Sequence, residues 1–365
     1  MLSALLLKFR NIQHLLFPVL EETLELSDKH REFVRLINLM PTDGLFHPYE
    51  WCGNGCKPAN REQLFRAFAA KAVFNIPKTS DLILRLKADK TLRALCGYES
   101  ASQIPSESTF SRAFADFSRD ELAQKVHAAM LATSVKDKLF GHASIDATAI
   151  EAREKPAPKP KQESAPKVKA KRGRRKKGEQ APPPDPKRMD LQPLRTLEEN
   201  IADLPVLCDI GSKSDSKGHA MHWIGYKLHL SVLDGDIPGA ALLSSASLHD
   251  SQPAIPLMQM TNERFDILYN LMDAAYDAQG IRAFSRAQGQ VPIIDANARR
   301  GEKTPFSPAE KARYAQRSSV ERVNSALKDS YGARFVRVRG AVKVMAHLMF
   351  GVIALTAAQI VRLTP

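Results

Sequence analysis

Three acidic residues stand where acids are costly. Asp146 lies inside the apolar run 140–150, Asp273 ends the apolar run 265–272, and Glu321 sits mid-way along a strongly helical stretch, 308–329. A carboxylate within or at the end of an apolar strand is expensive unless it meets a cation. Three together would make an all-oxygen site suited to Mg²⁺ or Mn²⁺. Two such ions roughly 4 Å apart can clamp the attacking and leaving oxygens of a phosphodiester. Singly, each acid reads equally well as a salt-bridge partner or a cap. Their order along the chain favours the metal site.

The stretch around Glu321 carries a second signal. Tyr314, Arg317, Glu321 and Lys328 fall within roughly a 60° sector at about 100° per residue of one regular helix. In that stripe the carboxylate can hold a metal, and Arg317 and Lys328 can take phosphate oxygens. The bland alternative is a solvated face with i,i+4 pairs. Asp277, four residues after Asp273, is the alternative second acid. Cys52 and Cys56 with His47 fall one ligand short of a zinc site.

The elements that must position these groups are legible from patterning. Apolar residues at helical spacing over 62–74 and 82–95 make the region 20–135 helical. Pro105-Ser106 before Phe110 and Phe114 is a helix start with Ser106 as N-cap. That helix follows a short break and carries Arg112, which suits a helix-turn-helix-like DNA reader; the plain alternative is a core helix. Alternation over 222–233, its hairpin partner 237–247 across Asp234-Gly235-Asp236, and short apolar runs at 140–150, 265–272 and 291–295 read as strands. The apolar stretch 344–361 reads as a buried packing helix rather than a membrane span, and the N-terminus lacks the pattern of a signal peptide.

The segment 151–190 differs in composition. It has eight prolines and 14 Lys/Arg against six Asp/Glu, and so carries +8 of the net +13. Such a stretch cannot bury enough surface to offset its ordering entropy and is expected to be disordered. At its centre Lys171-Arg172-Gly173-Arg174-Arg175-Lys176-Lys177 suits phosphate attraction or an A·T-rich minor groove.

Bulk composition agrees. Lys+Arg of 53 against Asp+Glu of 40 over 365 residues favours a polyanionic partner, nucleic acid first. The 44% hydrophobic content excludes a wholly disordered chain, and four cysteines exclude a disulfide scaffold.

With these residues in place a resemblance emerges. Tyr314-x₂-Arg317-x₃-Glu321-x₆-Lys328 resembles the tyrosine–arginine–glutamate–lysine signature of bacterial insertion-sequence DDE transposases. Ile145-Asp146-Ala147-Thr148 and Asp273-Ala274-Ala275-Tyr276-Asp277 resemble the surroundings of that family's two aspartates. Similar matches lie at 223–230, 247–251, 95–98 and 105–110. The resemblance implies a ribonuclease-H-like mixed α/β catalytic core with an all-α N-terminal domain. It implies Asp146, Asp273 and Glu321 as catalytic metal ligands for two Mg²⁺ ions, with Mn²⁺ able to substitute. Tyr314, Arg317 and Lys328 would hold DNA phosphates; Arg112, Arg172, Arg174 and Arg175 are further DNA contacts. The implied activity is cleavage at transposon ends followed by transfer of the freed 3′-hydroxyl to target DNA. A homodimer would act on double-stranded DNA in the bacterial cytoplasm, nucleoid-associated and away from membranes. There is no room before Glu321 for the large strand-rich insertion of some relatives. The alternative is a catalytically silent DNA-binding regulator derived from such an enzyme. The expected organisation is a helical DNA-binding domain over 1–135, a catalytic core over 136–150 and 210–340, a largely disordered basic insertion over 151–209, and a packing helix over 341–365.

Overall fold

The structure, a computed structural model, describes residues 26–41, 44–135, 139–158, 186–214, 218–297 and 305–363. Among the described residues six α-helices come first: α1 (Asp28–Leu39), α2 (Arg61–Val73), α3 (Thr79–Ala88), α4 (Lys90–Leu95), α5 (Glu107–Arg119) and α6 (Leu122–Ser134). Asp89 divides the stretch read as one helix over 82–95, because its side chain caps α4 through the Leu92 N–H. Ser106 is the N-cap of α5, as its sequence context predicts. Its hydroxyl meets Ser108 and Thr109 side chains, however, and not a backbone N–H.

A mixed sheet follows. Its strands are β1 (Leu139–Glu151), β2 (Asp209–Ser214), β3 (Ala220–Leu233), β4 (Ile237–Ser245), β5 (Asp266–Met272) and β6 (Val291–Ile294). The order is β2-β3-β1-β5-β6, with β4 also paired to β3. β1 runs antiparallel to β3 and parallel to β5, and β5 is parallel to β6. This is the mixed sheet of a ribonuclease-H-like core, with β1 at its centre. Residues 186–208, within the stretch expected to be a disordered insertion, are folded. They form α7 (Arg188–Leu191) and α8 (Leu197–Ala202). Thr196 and Glu199 close a capping box at the start of α8, Arg188 pairs with Asp203 at 2.6 Å, and Leu204 and Cys208 are buried. Arg172, Arg174 and Arg175 lie outside the described residues.

Helices cover both faces of the sheet. On one side α9 (Ala254–Asn262) and α10 (Gln279–Ala287) bury Ile145, Leu242 and Met272. On the other lie α11 (Pro308–Tyr314), α12 (Ser318–Ser330) and α13 (Ala341–Leu363). Ser307 caps α11 in a capping box with Glu310, and Pro308 takes its first position. The helix expected to run unbroken over 308–329 is interrupted by a 3₁₀ turn at Ala315–Arg317.

α13 is long and apolar enough to cross a membrane by length and composition. Here its buried residues join the N-terminal helices and the sheet face carrying Leu228, Leu230 and Leu243 in one core. The Phe350 ring lies 4.8 Å from Phe65 and 5.7 Å from Phe68, centroid to centroid. Truncating Phe350→Ala should cost about 3–5 kcal/mol, measured as a fall in the urea midpoint with an unchanged slope.

Candidate active site

Strand geometry brings the first two acids together. Side chains alternate along β1, so Ile145 enters the α9/α10 layer and Asp146 faces α12. In the parallel pairing Ser144 opposes Leu271. Carrying that register on by two residues sets Asp273, just past the end of β5, beside Asp146. One oxygen of Asp273 caps the following turn through the Ala275 N–H at 2.9 Å, which fixes its direction.

Glu321 arrives in the first turn of α12. What joins the three acids is Arg317, the last residue of the 3₁₀ turn. Its Nη2 lies 3.8 Å from Asp146 Oδ1 and 3.5 Å from Asp273 Oδ2, and its Nη1 donates to Glu321 Oε1 at 2.7 Å. The Arg317 side chain is 16% exposed, against 58% for Glu321. The guanidinium therefore fills the space between the carboxylates, and its buried Nε has no partner.

The electrostatics follow from this crowding. Burial pushes the Asp146 carboxyl up to about 6, opposed chiefly by Arg317 and reinforced by Asp273; the Ala147 N–H and Lys213 oppose it further. Burial works against the Arg317 charge, but Asp146, Tyr314, Asp273 and Glu321 hold the guanidinium above its ordinary value. Burial raises the Tyr314 phenol to about 12 despite Arg317.

Two polar groups beside the acids were not singled out for this site by sequence reasoning. Asn324 reaches Asp146 Oδ2 at 3.5 Å from Nδ2, and its buried Oδ1 is unpaired. The Tyr276 hydroxyl is buried without a partner. Burial and the charges of Asp146, Asp250 and Asp273 hold it far above the ordinary phenol value. Tyr276 lies in the Asp273-Ala274-Ala275-Tyr276 stretch, a usable signal; Asn324, one helical turn beyond Val320, carried none. Asp277, the alternative second acid, is turned away. It pairs with Arg282 at 3.0 Å and accepts the Asn297 N–H.

The expected four-residue stripe separates. Tyr314 and Arg317 face the acids, whereas the charges acting on Lys328 are those of Arg334, Lys213, Glu151 and Asp329. The 3₁₀ turn changes the angle of Tyr314 and Arg317 relative to α12, whereas Glu321 and Lys328 share α12 and differ in their position along its axis. Arg112 is exposed on α5, its guanidinium 3.4 Å from Thr109 Oγ1.

The donor set suits a hard divalent cation: three carboxylates, two on neighbouring strands, already drawn to one positive group. Among the described residues, no three acidic, His or Cys side chains are close enough to grip one ion as they stand. Arg317 holds the central place.

A family model described as the transposase DDE domain matches residues 139–357, more than half of the chain. The chain belongs to the DDE transposases. A second model, described as Transposase domain (DUF772), matches residues 18–116. Comparison with curated proteins gives no match. The DDE match spans β1 to most of α13, so all three acids of this transposase fall inside it. The helical match ends within α5, so the α13 side chains that complete the N-terminal core come from the other matched region.

Proposed function

We propose that this transposase binds the ends of its own element and catalyses metal-dependent cleavage and joining of DNA strands. The observation that carries the reading is the meeting of Asp146, Asp273 and Glu321 around the Arg317 guanidinium. Asp146, Asp273 and Glu321 would hold two Mg²⁺ ions, with Mn²⁺ able to substitute. Those ions would neutralise the phosphodiester and lower the pKa of the attacking oxygen. With the carboxylates so engaged, Arg317 would be free to take two oxygens of a phosphate bidentately. Tyr314, with its phenol held protonated, donates a hydrogen bond to a phosphate. Lys328 and Arg112 extend the positive surface along the duplex, acting as a homodimer in the cytoplasm.

The test is a labelled DNA carrying the element's own ends, incubated with Mg²⁺ or Mn²⁺ and then with excess chelator. Cutting and joining should require the metal and stop on chelation. Binding of the ends without cutting in either metal would replace this reading with a silent DNA-binding regulator.

A further inference from the structure

Beside the acidic cluster lies a second concavity of opposite charge. A cavity of about 490 Å³ is lined by Arg153, Lys328, Arg334, Arg337, Phe335 and Glu151 among others. Arg334 is paired with Asp329. Among the described residues no carboxylate pairs with Arg153, Lys328 or Arg337. Lys328 is half-buried, and burial together with Arg334 and Lys213 disfavours its charge, with Glu151 and Asp329 only partly compensating. A partly desolvated ammonium among three guanidinium groups is a site built for an anion.

Phe335 makes the site more specific. It is 43% exposed, a large apolar ring set between Arg334 and Arg337 in sequence and lining the same cavity. An aromatic ring among cations is the arrangement that binds single-stranded nucleic acid: the cations take the phosphates and the ring takes the face of a base. A base within a duplex has both faces covered by its neighbours, so only an unpaired base can use the ring.

The position fits the proposed chemistry. Lys328 lies seven residues beyond Glu321 on α12, about 10 Å along the helix axis. Ala149 lies three residues beyond Asp146 on β1, about 10 Å along the strand. That is about three base steps of one strand. Lys213, on β2, acts electrostatically on both Asp146 and Lys328.

We propose that this cavity is a subsite for an unpaired nucleotide close to the scissile phosphate. Phe335 stacks on its base, and Arg153, Lys328 and Arg337 hold the flanking phosphates. The inference rests on the DNA-cleaving reading and adds to it a preference for ends whose terminal bases are unpaired.

The test compares affinities in Ca²⁺ for three forms of the element's terminal duplex. One is blunt, one carries a three-nucleotide single-stranded extension on either strand, and one carries the same extension made of abasic sites. The wild type should bind one extended form at least fivefold more tightly than the blunt form and lose that gain with the abasic extension. Phe335→Ala should lose the gain while binding blunt duplex within twofold of wild type, and Phe335→Trp should keep it. Exposure of the ring makes both variants compatible with folding. Blunt binding with no gain from any extension, or a gain that survives Phe335→Ala or the abasic extension, would overturn the subsite and leave the transposase reading standing. Binding of none of the three forms would overturn both.

Discussion

Asp146→Asn should abolish strand cleavage and, in the same molecule, raise the stability of the metal-free protein. The first effect follows from charge. Asp146 is the most enclosed of the three acids, 20% exposed against 38% for Asp273, so nothing from solvent replaces its lost negative charge. Loss of one preorganised electrostatic group costs about 10²–10³ in rate. A residue that holds ions needed for both cleavage and joining should cost at least the upper figure. Binding of end DNA should persist, because Arg112, Lys213 and Lys328 are untouched. The second effect follows from linkage. The Asp146 carboxyl is raised from 3.8 to about 6 by burial, with Arg317 opposing and Asp273 reinforcing. Between those pH values the folded protein binds the proton more tightly than the unfolded chain, so this group makes stability fall as pH rises through the window. Above about 6 the penalty is complete, at most about 3 kcal/mol. Asparagine removes it, so the variant should be about 1–3 kcal/mol more stable at neutral pH without divalent ions. That advantage should shrink as pH falls toward 4. Urea titrations at pH 7 and pH 5 in chelator decide it. A variant no more stable than wild type at pH 7 would mean that Arg317 already offsets the burial of Asp146 in full.

Different signals made different parts of this molecule legible. β1 and β3 to β6 announced themselves by alternation or by short apolar runs between turn residues, and each lies within a few residues of where the pattern puts it. β2 did not, because Asp-Ile-Gly-Ser-Lys-Ser has one large apolar residue, and Ile210 is half exposed. Only the edge of β3 recruits it. Residues 186–208 were masked by the prolines and lysines before them, although Thr196 and Glu199 have the spacing of a capping box. The acids were legible because each broke an apolar or helical pattern. The direction of Arg317 was not. Sequence offered phosphate contact or a surface i,i+4 pair, and the structure shows that pair with Glu321 extended inward to Asp146 and Asp273. Only the 3₁₀ turn at Ala315–Arg317 gives that direction, and no residue type in the stretch announces the turn. Lys328 stays on the Glu321 side of α12 but about two turns farther along it, where it lines a cavity with Phe335 and Arg337.

Gly225→Ala should be the most damaging single methyl group in the catalytic core. Gly225 lies in the Trp223-Ile224-Gly225-Tyr226-Lys227 stretch of β3, at the point where that strand pairs both with Asp209 of β2 and with Glu151 at the end of β1. Its φ is +152°, at the border of the region that side chains avoid, and an added Cβ would lie 2.1 Å from the Ile150 carbonyl oxygen and 2.8 Å from the Ala152 nitrogen. Those are backbone atoms of the central strand and cannot rotate aside as a side-chain tip would. The neighbourhood is also fixed by other bonds. The Ala152 N–H donates to Ile224 O at 2.9 Å, Ile150 is buried in the main core, and the Tyr226 hydroxyl donates to Glu154 at 2.5 Å. Relief therefore requires β3 to move off β1, breaking pairing that continues through Leu230 opposite Asp146. Backbone strain of about 1–3 kcal/mol and overpacking of about 1–3 kcal/mol act together here, so the expected loss is about 3–5 kcal/mol. Gly235→Ala is the control. The nearest atoms to its added methyl are those of the exposed Leu363 side chain, which can move aside, so it should pay the strain of its positive φ and little steric cost. Thermal melts should show Gly225→Ala losing about twice the stability that Gly235→Ala loses. Hydrogen exchange should show the excess concentrated in β1 and β3, the strands that set Asp146 in place. Equal losses in the two variants would mean that the strand crossing at Gly225 is loose enough to admit a side chain.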